Sequence, residues 1–304
     1  MSTIIRLTDS ILTIQGADAH KFLQGQTTTD FKEVTPEQSR LGGYANLKGR
    51  LAFSFRAIEW PAQQLNLVIN QALLAIAKNT LQKYIVFSKA QISTPDTNVI
   101  GILGADSDKL LSELFGFCPT IINQTLSNEQ ISLTRVDGDS RWLLLVKSEF
   151  SETVWQQLSQ QATIASINDW RLAQIAAGET PILAETTELY QPQELNYLAL
   201  NAISYNKGCY TGQEIIARLY FRGKLKQWTH RFNVKLRELP ALNTVIYDES
   251  GHSQGHVVLA AQADAESVEL LAIVRHDYAD KVFLGDEKRP LELLPLPYVV
   301  EVKE

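Results

Sequence analysis

No G-x-x-x-x-G-K-[ST], G-x-G-x-x-G, C-x-x-C or H-E-x-x-H string occurs anywhere in the 304 residues. The phosphate-cradling loop, dinucleotide fingerprint, dithiol and zinc-protease helix are therefore excluded as motifs. Cysteine is scarce: Cys118 and Cys209 are the only two, too few for a disulfide framework or a four-ligand zinc site. Long apolar runs are lacking as well. The longest uncharged stretch, residues 60–77, is broken by Pro61, Gln63, Gln64, Asn66, Asn70 and Gln71, and is too polar to span a bilayer. The opening MSTIIRLTDSILTIQG shows no basic segment leading into a long apolar run, so no signal peptide is expected. Positive charge is in deficit, with 28 Lys and Arg against 34 Asp and Glu and a net charge of −6, which argues against a general nucleic-acid coat. Neither repeats nor low-complexity tracts are evident. The chain reads as a soluble, cytoplasmic protein with no membrane partner and no metal centre.

What remains is an ordinary globular composition, 45% hydrophobic and 20% charged, long enough for two domains of roughly 150 residues. Residues 11–14 form a β-rich run ending at Gly16, and Asp18 is placed to cap a short helix carrying Ala19, Phe22 and Leu23 on one face. Residues 41–47 and 50–58 read as a β-hairpin turning at Gly49, with Leu51, Phe53 and Phe55 alternating onto one side. A strand over 65–69 then precedes a helix over 71–84. The middle repeats this grammar: strand 99–103, helix 106–115, a hairpin from 131–136 to 141–147 across Asp137-Gly138, helix 150–162, and helix 169–177, capped by Asp169 and ended by Gly178. From residue 232 short strands with glycine turns take over, the pattern of a small antiparallel barrel or sandwich. Domains are expected over 1–229 and 230–304.

His252 and His256 in HSQGH have a spacing that two metal ligands can share, but no third ligand accompanies them, and a surface turn is the simpler reading. The segment Asn206-Lys207-Gly208-Cys209-Tyr210-Thr211-Gly212-Gln213-Glu214 stands apart. Gly208 and Gly212 flank Tyr210 and imply a tight backbone path into a helix. A cysteine there feels the positive end of that helix and the charge of Lys207, both of which favour thiolate over thiol. Cys209 is thus a candidate functional thiol, set against the simpler reading of a free buried cysteine. Between Glu214 and Glu238 lie Arg218, Arg222, Lys224, Lys226, Arg231, Lys235 and Arg237, with no acid among them and with Tyr220, Phe221 and Trp228 interleaved. Read plainly, this is a solvated face. Read functionally, residues 218–237 are a docking strip for a polyanion, either a folyl-polyglutamate tail or tRNA phosphate.

The string KGCYTGQE, with Arg218 just beyond it, closely resembles the signature of the YgfZ family, which is related to the T-protein, the aminomethyltransferase of the glycine cleavage system. GADAHKFLQGQTTTDF, LKGR, LQKYIVFSKAQI and the closing ELLPLPY extend the similarity across both domains. The resemblance implies an α+β fold, T-protein-like lobes around a central folate channel with a C-terminal antiparallel β-barrel. It implies tetrahydrofolate or a related reduced folate as cofactor. It also implies a role in iron–sulfur cluster assembly or repair and in iron–sulfur-dependent tRNA modification such as methylthiolation. Iron–sulfur enzymes such as tRNA methylthiotransferases are then indirect or transient partners. Within the motif, the resemblance makes Cys209 and Lys207 the catalytic pair, Gln213, Glu214 and Arg218 folate contacts, and Gly208, Tyr210, Thr211 and Gly212 the backbone frame. Trp170 matches a tryptophan implicated in folate contact, its indole stacking on a pterin or aminobenzoyl ring. Without the family it reads as a core residue anchoring the 169–177 helix.

The chain also departs from the T-protein pattern. T-proteins carry two aspartates just past the hairpin glycines, and the matching positions are Phe53 and Ser54, which argues against aminomethyl transfer. A pterin-gripping glutamate maps to Ala176, with Gln174 or Glu179 as stand-ins, and a second family tryptophan maps to Ser10. Two further readings stay open. One is a folate-dependent methyl or aminomethyl transferase using another acid such as Glu214; the other is a folate-independent RNA-binding accessory factor.

Overall fold

The first fifteen residues supply two strands that part company. In the computed structural model, which describes residues 1–301, β1 (Thr3–Arg6) and β2 (Asp9–Gln15) are two residues apart yet enter different sheets. β2 joins β3 (Arg40–Ala45), β4 (Leu51–Glu59), β5 (Gln64–Asn70) and β6 (Gln91–Ser93) in an antiparallel sheet of order β3-β4-β5-β2-β6. β1 joins β7 (Thr97–Leu103), β8 (Thr125–Ser127), β9 (Ile131–Arg135), β10 (Arg141–Lys147) and β11 (Thr163–Ile164) in the order β11-β1-β7-β10-β9-β8. Only the β1–β11 pair in that sheet is parallel.

Helices α1 (Ala19–Gln24) and α2 (Leu74–Ile85) serve the first lobe, while α3 (Ser107–Phe115) and α4 (Ser148–Ser159) bury Leu111, Val154 and Leu158 on the second. Two expected caps work differently from the sequence reading. Asp18 precedes α1 without capping it; its Oδ2 accepts instead from the Lys89 backbone N–H at 2.8 Å. Helix α5 (Ile167–Ala176) starts two residues before Asp169, after Ser166. Asp169 sits in its first turn and reaches back, its Oδ2 accepting from the N–H and Oγ of Ser166 at 2.9 and 2.6 Å. The hairpin expected at Gly49 forms as β3–β4. Leu51, Phe53 and Phe55 do not simply face inward opposite a wet side, because every residue of β4 is buried: both faces of the strand are covered.

Residues 177–212 contain no strand. They thread Ile182, Tyr190, Leu195 and Tyr197 into a core shared with Phe53 of the first lobe and Leu271 and Ile273 beyond. Helix α6 (Gln213–Arg222) follows, and then seven strands: β12 (Gln227–Lys235), β13 (Val245–Tyr247), β14 (Ser253–Gln262), β15 (Ser267–Arg275), β16 (Phe283–Leu284), β17 (Arg289–Pro290) and β18 (Glu292–Leu294). Their order, β17-β16-β13-β14-β15-β12-β18, places at its two ends strands separated only by Leu291, so the sheet comes close to closing as a barrel. The sheet begins at Gln227, which pairs with Arg275, so β12 runs through the junction expected at 229/230. Asn168 of α5 exchanges two 2.8 Å hydrogen bonds with the backbone of Gln262, tying the second lobe to the barrel. No helix among the described residues is long and apolar enough to cross a membrane.

Candidate functional site

Where β2, β4, β10 and α5 converge they leave a slot of about 850 Å³, counted with its open mouth. Helix α5 turns Ile167, Trp170 and Gln174 toward it, the spacing of one helical face. Trp170 is buried, and its ring already has partners within the protein. Gly101 of β7 lets the indole lie on the strand: a Cβ there would come within 2.6 Å of the ring. The Arg141 guanidinium carbon sits 4.5 Å from the ring centroid, a cation–π contact. The core-anchor role of Trp170 is thus present, and the residue also lines the slot itself, beside Arg141.

Arg141 starts β10 and is 1% exposed. Its Nη1 donates to the carbonyl of Asp137 at 2.6 Å and to Glu179 Oε2 at 3.1 Å. Its Nε and Nη2 have no partner among the described residues, nor has the hydroxyl of Thr180, which also lines the slot. Buried polar atoms are nearly always paired, so three unpaired ones beside one slot set it apart as the candidate site. Asp9, half-buried at the start of β2, lines the same slot. Burial and the nearby Glu179 carboxylate push its carboxyl up to about 7. Both expected stand-ins for the pterin-gripping acid are here, Gln174 Nε2 donating to Glu179 Oε1 at 3.3 Å. Ala176 is exposed and lies outside the slot, so a glutamate missing at that position takes nothing from it. Ser10 is not part of the lining, whereas its neighbour Asp9 is.

The glycine-flanked motif forms a second, separate region. Gly212 has φ +80 at the entrance of α6, and a Cβ on it would meet the Asn46 carbonyl oxygen at 2.5 Å. A Cβ on Gly49, at φ +72, would meet Ile215 at 3.0 Å. The LKGR hairpin tip and the KGCYTGQE segment are therefore held against each other by one glycine from each. Gly208 and Cys209 are exposed, and Tyr210 is buried, so the reading of Cys209 as a buried cysteine does not hold. Thr211 lies beside the hydroxyl of Tyr44. Lys207 does not turn toward Cys209. It is buried, its Nζ donating to the carbonyls of Thr27 and Thr29 at 2.6 Å each and lying 4.9 Å from the Tyr210 ring centroid. Burial pushes its ammonium down to about 7, against the pull of Asp30. The expected Lys207–Cys209 pair is thus corrected to a lysine committed inward beside a thiol facing out. Cys118 is the opposite of Cys209: half-buried, bonded to the Pro119 carbonyl at 3.6 Å, its thiol pushed up to about 11 by desolvation first.

Gln213 is half-buried on α6, and Glu214 and Arg218 are exposed. None of the three lines the slot, so the structure does not bring them together with Trp170. Leu219 and Tyr220 of the same helix line a different cavity, together with Gln193 and Asn196. The basic strip is also less uniform than its sequence. Arg231 pairs with Glu269 at 2.7 Å and Arg237 with Glu266 at 3.2 Å, acids that the antiparallel β12–β15 pairing brings alongside. Arg218, Arg222, Lys224 and Lys226 are exposed and have no ion pair among the described residues.

Sequence reasoning missed Asp9 and Arg141. For Arg141 the available signal was a charge at the head of an otherwise apolar strand, RWLLLV. For Asp9 there was none.

No family model matches the chain. The tRNA-modifying protein YgfZ of Yersinia pseudotuberculosis is 30% identical over 305 residues, covering 97% of this chain and 92% of its own. The protein of the same name from Yersinia enterocolitica is 29% identical with the same coverage. Among solved structures, the glycine cleavage system aminomethyltransferase T of Bartonella henselae superposes with a TM-score of 0.78 over 98% of this chain and 86% of its own, at 14% identity. The fold is that of the T-protein, as the sequence resemblance implied.

Proposed function

This chain belongs to the YgfZ family, and from that premise we propose that it is a folate-binding protein serving tRNA modification through iron–sulfur cluster assembly or repair, with Cys209 as its functional thiol. The observation that carries the folate reading is the slot itself. Arg141, Thr180, Asp9, Gln174 and Glu179 set several polar groups, three of the atoms unpaired, between the apolar walls of Leu41, Val68 and Leu143. A pterin is flat, apolar on its faces and polar along its edges, and these residues fit it. Bound there, a folate supplies a carrier for one-carbon units. Arg141 and Thr180 hold its acceptors, Asp9 and Glu179 face its donors, and Trp170 keeps the guanidinium in place.

The two positions where T-proteins carry aspartates hold no acid. Phe53 is buried and stacked on Tyr44 at 5.3 Å, and Ser54 Oγ accepts from the Ile182 N–H at 2.8 Å. The exposed thiol of Cys209 supports a role at the surface, toward a transient iron–sulfur partner such as a tRNA methylthiotransferase. Arg218 and Arg222 of α6 and Lys224 and Lys226 just after it, without an ion pair among the described residues, support tRNA phosphate contact there. The rival in which RNA binds and folate does not is favoured by nothing in the slot.

Calorimetric titration with reduced and oxidised folates tests the reading. Binding accompanied by a change in tryptophan emission that Trp170→Phe diminishes is expected. No heat and no emission change with any folate sinks it, and transfer of the carbon of an aminomethylated lipoyl carrier to tetrahydrofolate, with release of ammonia, sinks the claim that glycine-cleavage chemistry is lost. In cells, Cys209→Ala should lower tRNA methylthiolation, and an unchanged level removes the thiol from the proposal.

A further inference from the structure

The slot does not end in a blind wall. Asn70, Arg171, Leu183 and Leu259 line it and also line a neighbouring groove of about 750 Å³, counted with its open mouth, so the two cavities adjoin. The groove lies between α5 and the barrel, with Leu239, Pro240 and Leu242 as its further apolar wall. Arg171 stands at the junction. It follows Trp170 on α5, so its side chain leaves the helix about 100° round from the indole, on the flank of the face turned to the slot. Arg56 and Arg141, the other arginines of the slot, each have an acid for partner, Asp137 at 2.7 Å and Glu179 at 3.1 Å. Arg171 is half-buried and makes no ion pair, hydrogen bond or ring contact with any described residue. Glu185 shares the groove and is exposed, yet no ion pair joins it to Arg171.

A half-buried cation that borders two open cavities is within reach of whatever occupies them. A guanidinium with no donor engaged by the protein takes a carboxylate through two parallel hydrogen bonds. Folate carries two carboxylates at the end of its tail. The slot does not suit them, because the Glu179 carboxylate and the carboxyl of Asp9 already stand there. The groove offers the opposite: apolar walls for the aminobenzoyl ring and a cation where the groove meets the slot. We propose that the aminobenzoyl-glutamate tail of a reduced folate leaves the slot through this groove, and that Arg171 holds a carboxylate of the tail. This rests on folate binding in the slot, and it leaves the pterin and its one-carbon unit inside. The 218–237 strip, where the tail was expected from the sequence, contributes no residue to either cavity.

Calorimetry with tetrahydrofolate and with its diamide, in which both tail carboxylates are neutral, tests this on the full chain, on Arg171→Gln and on Glu185→Lys. The wild type should bind tetrahydrofolate about tenfold more tightly than the diamide. Arg171→Gln should bring the two within about twofold of each other by weakening tetrahydrofolate alone. Glu185→Lys places a cation at an exposed position of the groove. It should tighten tetrahydrofolate about threefold and leave the diamide as it was. Equal wild-type affinities overturn the proposal. So does an Arg171→Gln protein that loses both ligands alike, the mark of a structural role, or one that loses neither. Should Arg171→Gln fail to fold, Glu185→Lys decides: a change common to both ligands, or none in either, overturns the assignment. Binding of neither ligand to the wild type removes the proposed function as well, whereas equal binding of both removes only the role of Arg171.

Discussion

Lys207 in the motif loop aims its ammonium at the carbonyls of Thr27 and Thr29, 2.6 Å from each, while Arg141 beside the slot has one edge of its guanidinium unpaired among the described residues. Both are buried cations in the same chain. The first closes a loop onto the lobe beneath it, and every atom it touches belongs to the protein. The second is held by its neighbours and still has donors to give. Sequence likeness drew attention to Lys207 because it stands in a motif, yet the geometry makes it a staple. Arg141, which stands in no motif, is the cation that lines the slot. Burial alone does not distinguish the two; the count of satisfied donors does.

The largest effect should come from removing the staple. Lys207→Met leaves two buried carbonyls without a donor, at about 1–3 kcal/mol each, partly offset because an ammonium no longer has to be buried. A net loss of about 2–4 kcal/mol in urea denaturation is expected. A loss below about 0.5 kcal/mol, the range of an ordinary surface change, would break the comparison from the Lys207 side.

The slot side is sharpened by Asp9. Its folded carboxyl keeps its proton up to about pH 7, whereas in the unfolded chain it ionises near 3.9. The folded state therefore binds more protons across that window, stability falls as pH rises through it, and the penalty is full above 7. Asp9→Asn removes the titration. It should stabilise the protein by about 1 kcal/mol at pH 8 and by little at pH 4, an estimate kept small because the residue is only half-buried. Denaturation curves at the two pH values that shift equally would show that Asp9 does not carry this charge balance.

The smallest stability effect belongs to Cys209, which is exposed and bonds to nothing among the described residues. Cys209→Ala should alter unfolding by less than about 0.5 kcal/mol. Its reactivity is a different matter. With the Cys118 thiol pushed up to about 11, only about one molecule in a thousand carries that thiolate at pH 8. Alkylation followed by mass spectrometry should modify Cys209 well before Cys118, and the reverse order would contradict the geometry.

The elements that were legible in the sequence are those whose pattern is local. The β3–β4 and β9–β10 hairpins follow from alternation around Gly49 and Asp137-Gly138, and β14 and β15 from apolar runs between glycine and polar turns. The start of α5 was misread because Asp169 resembles a cap when seen alone; only with Ser166 does it become the acid of a reciprocal pair. Two-residue strands such as β11, β16 and β17 have no pattern of their own and exist because neighbours pair with them. The basic strip looked unpaired because Glu269 lies 38 residues from Arg231 in the chain and becomes adjacent only once β12 and β15 are side by side. The site divided along the same line. The motif loop announced itself as a string of residues, whereas the slot is assembled from Asp9, Arg141, Trp170 and Glu179, which no window of sequence holds together.

The parting of β1 from β2 has a consequence during synthesis. Thr3–Arg6 is made long before its neighbours in the sheet, β7, which begins at Thr97, and β11, which begins at Thr163. At roughly 5–20 residues per second, the first strand waits about 5–20 seconds for β7 and longer for β11. Meanwhile β2, two residues away, has β5 to pair with as soon as Gln64–Asn70 emerges. The nascent chain thus carries an apolar strand, Ile4 and Ile5 at its heart, that stays unpaired while β2 beside it is already claimed.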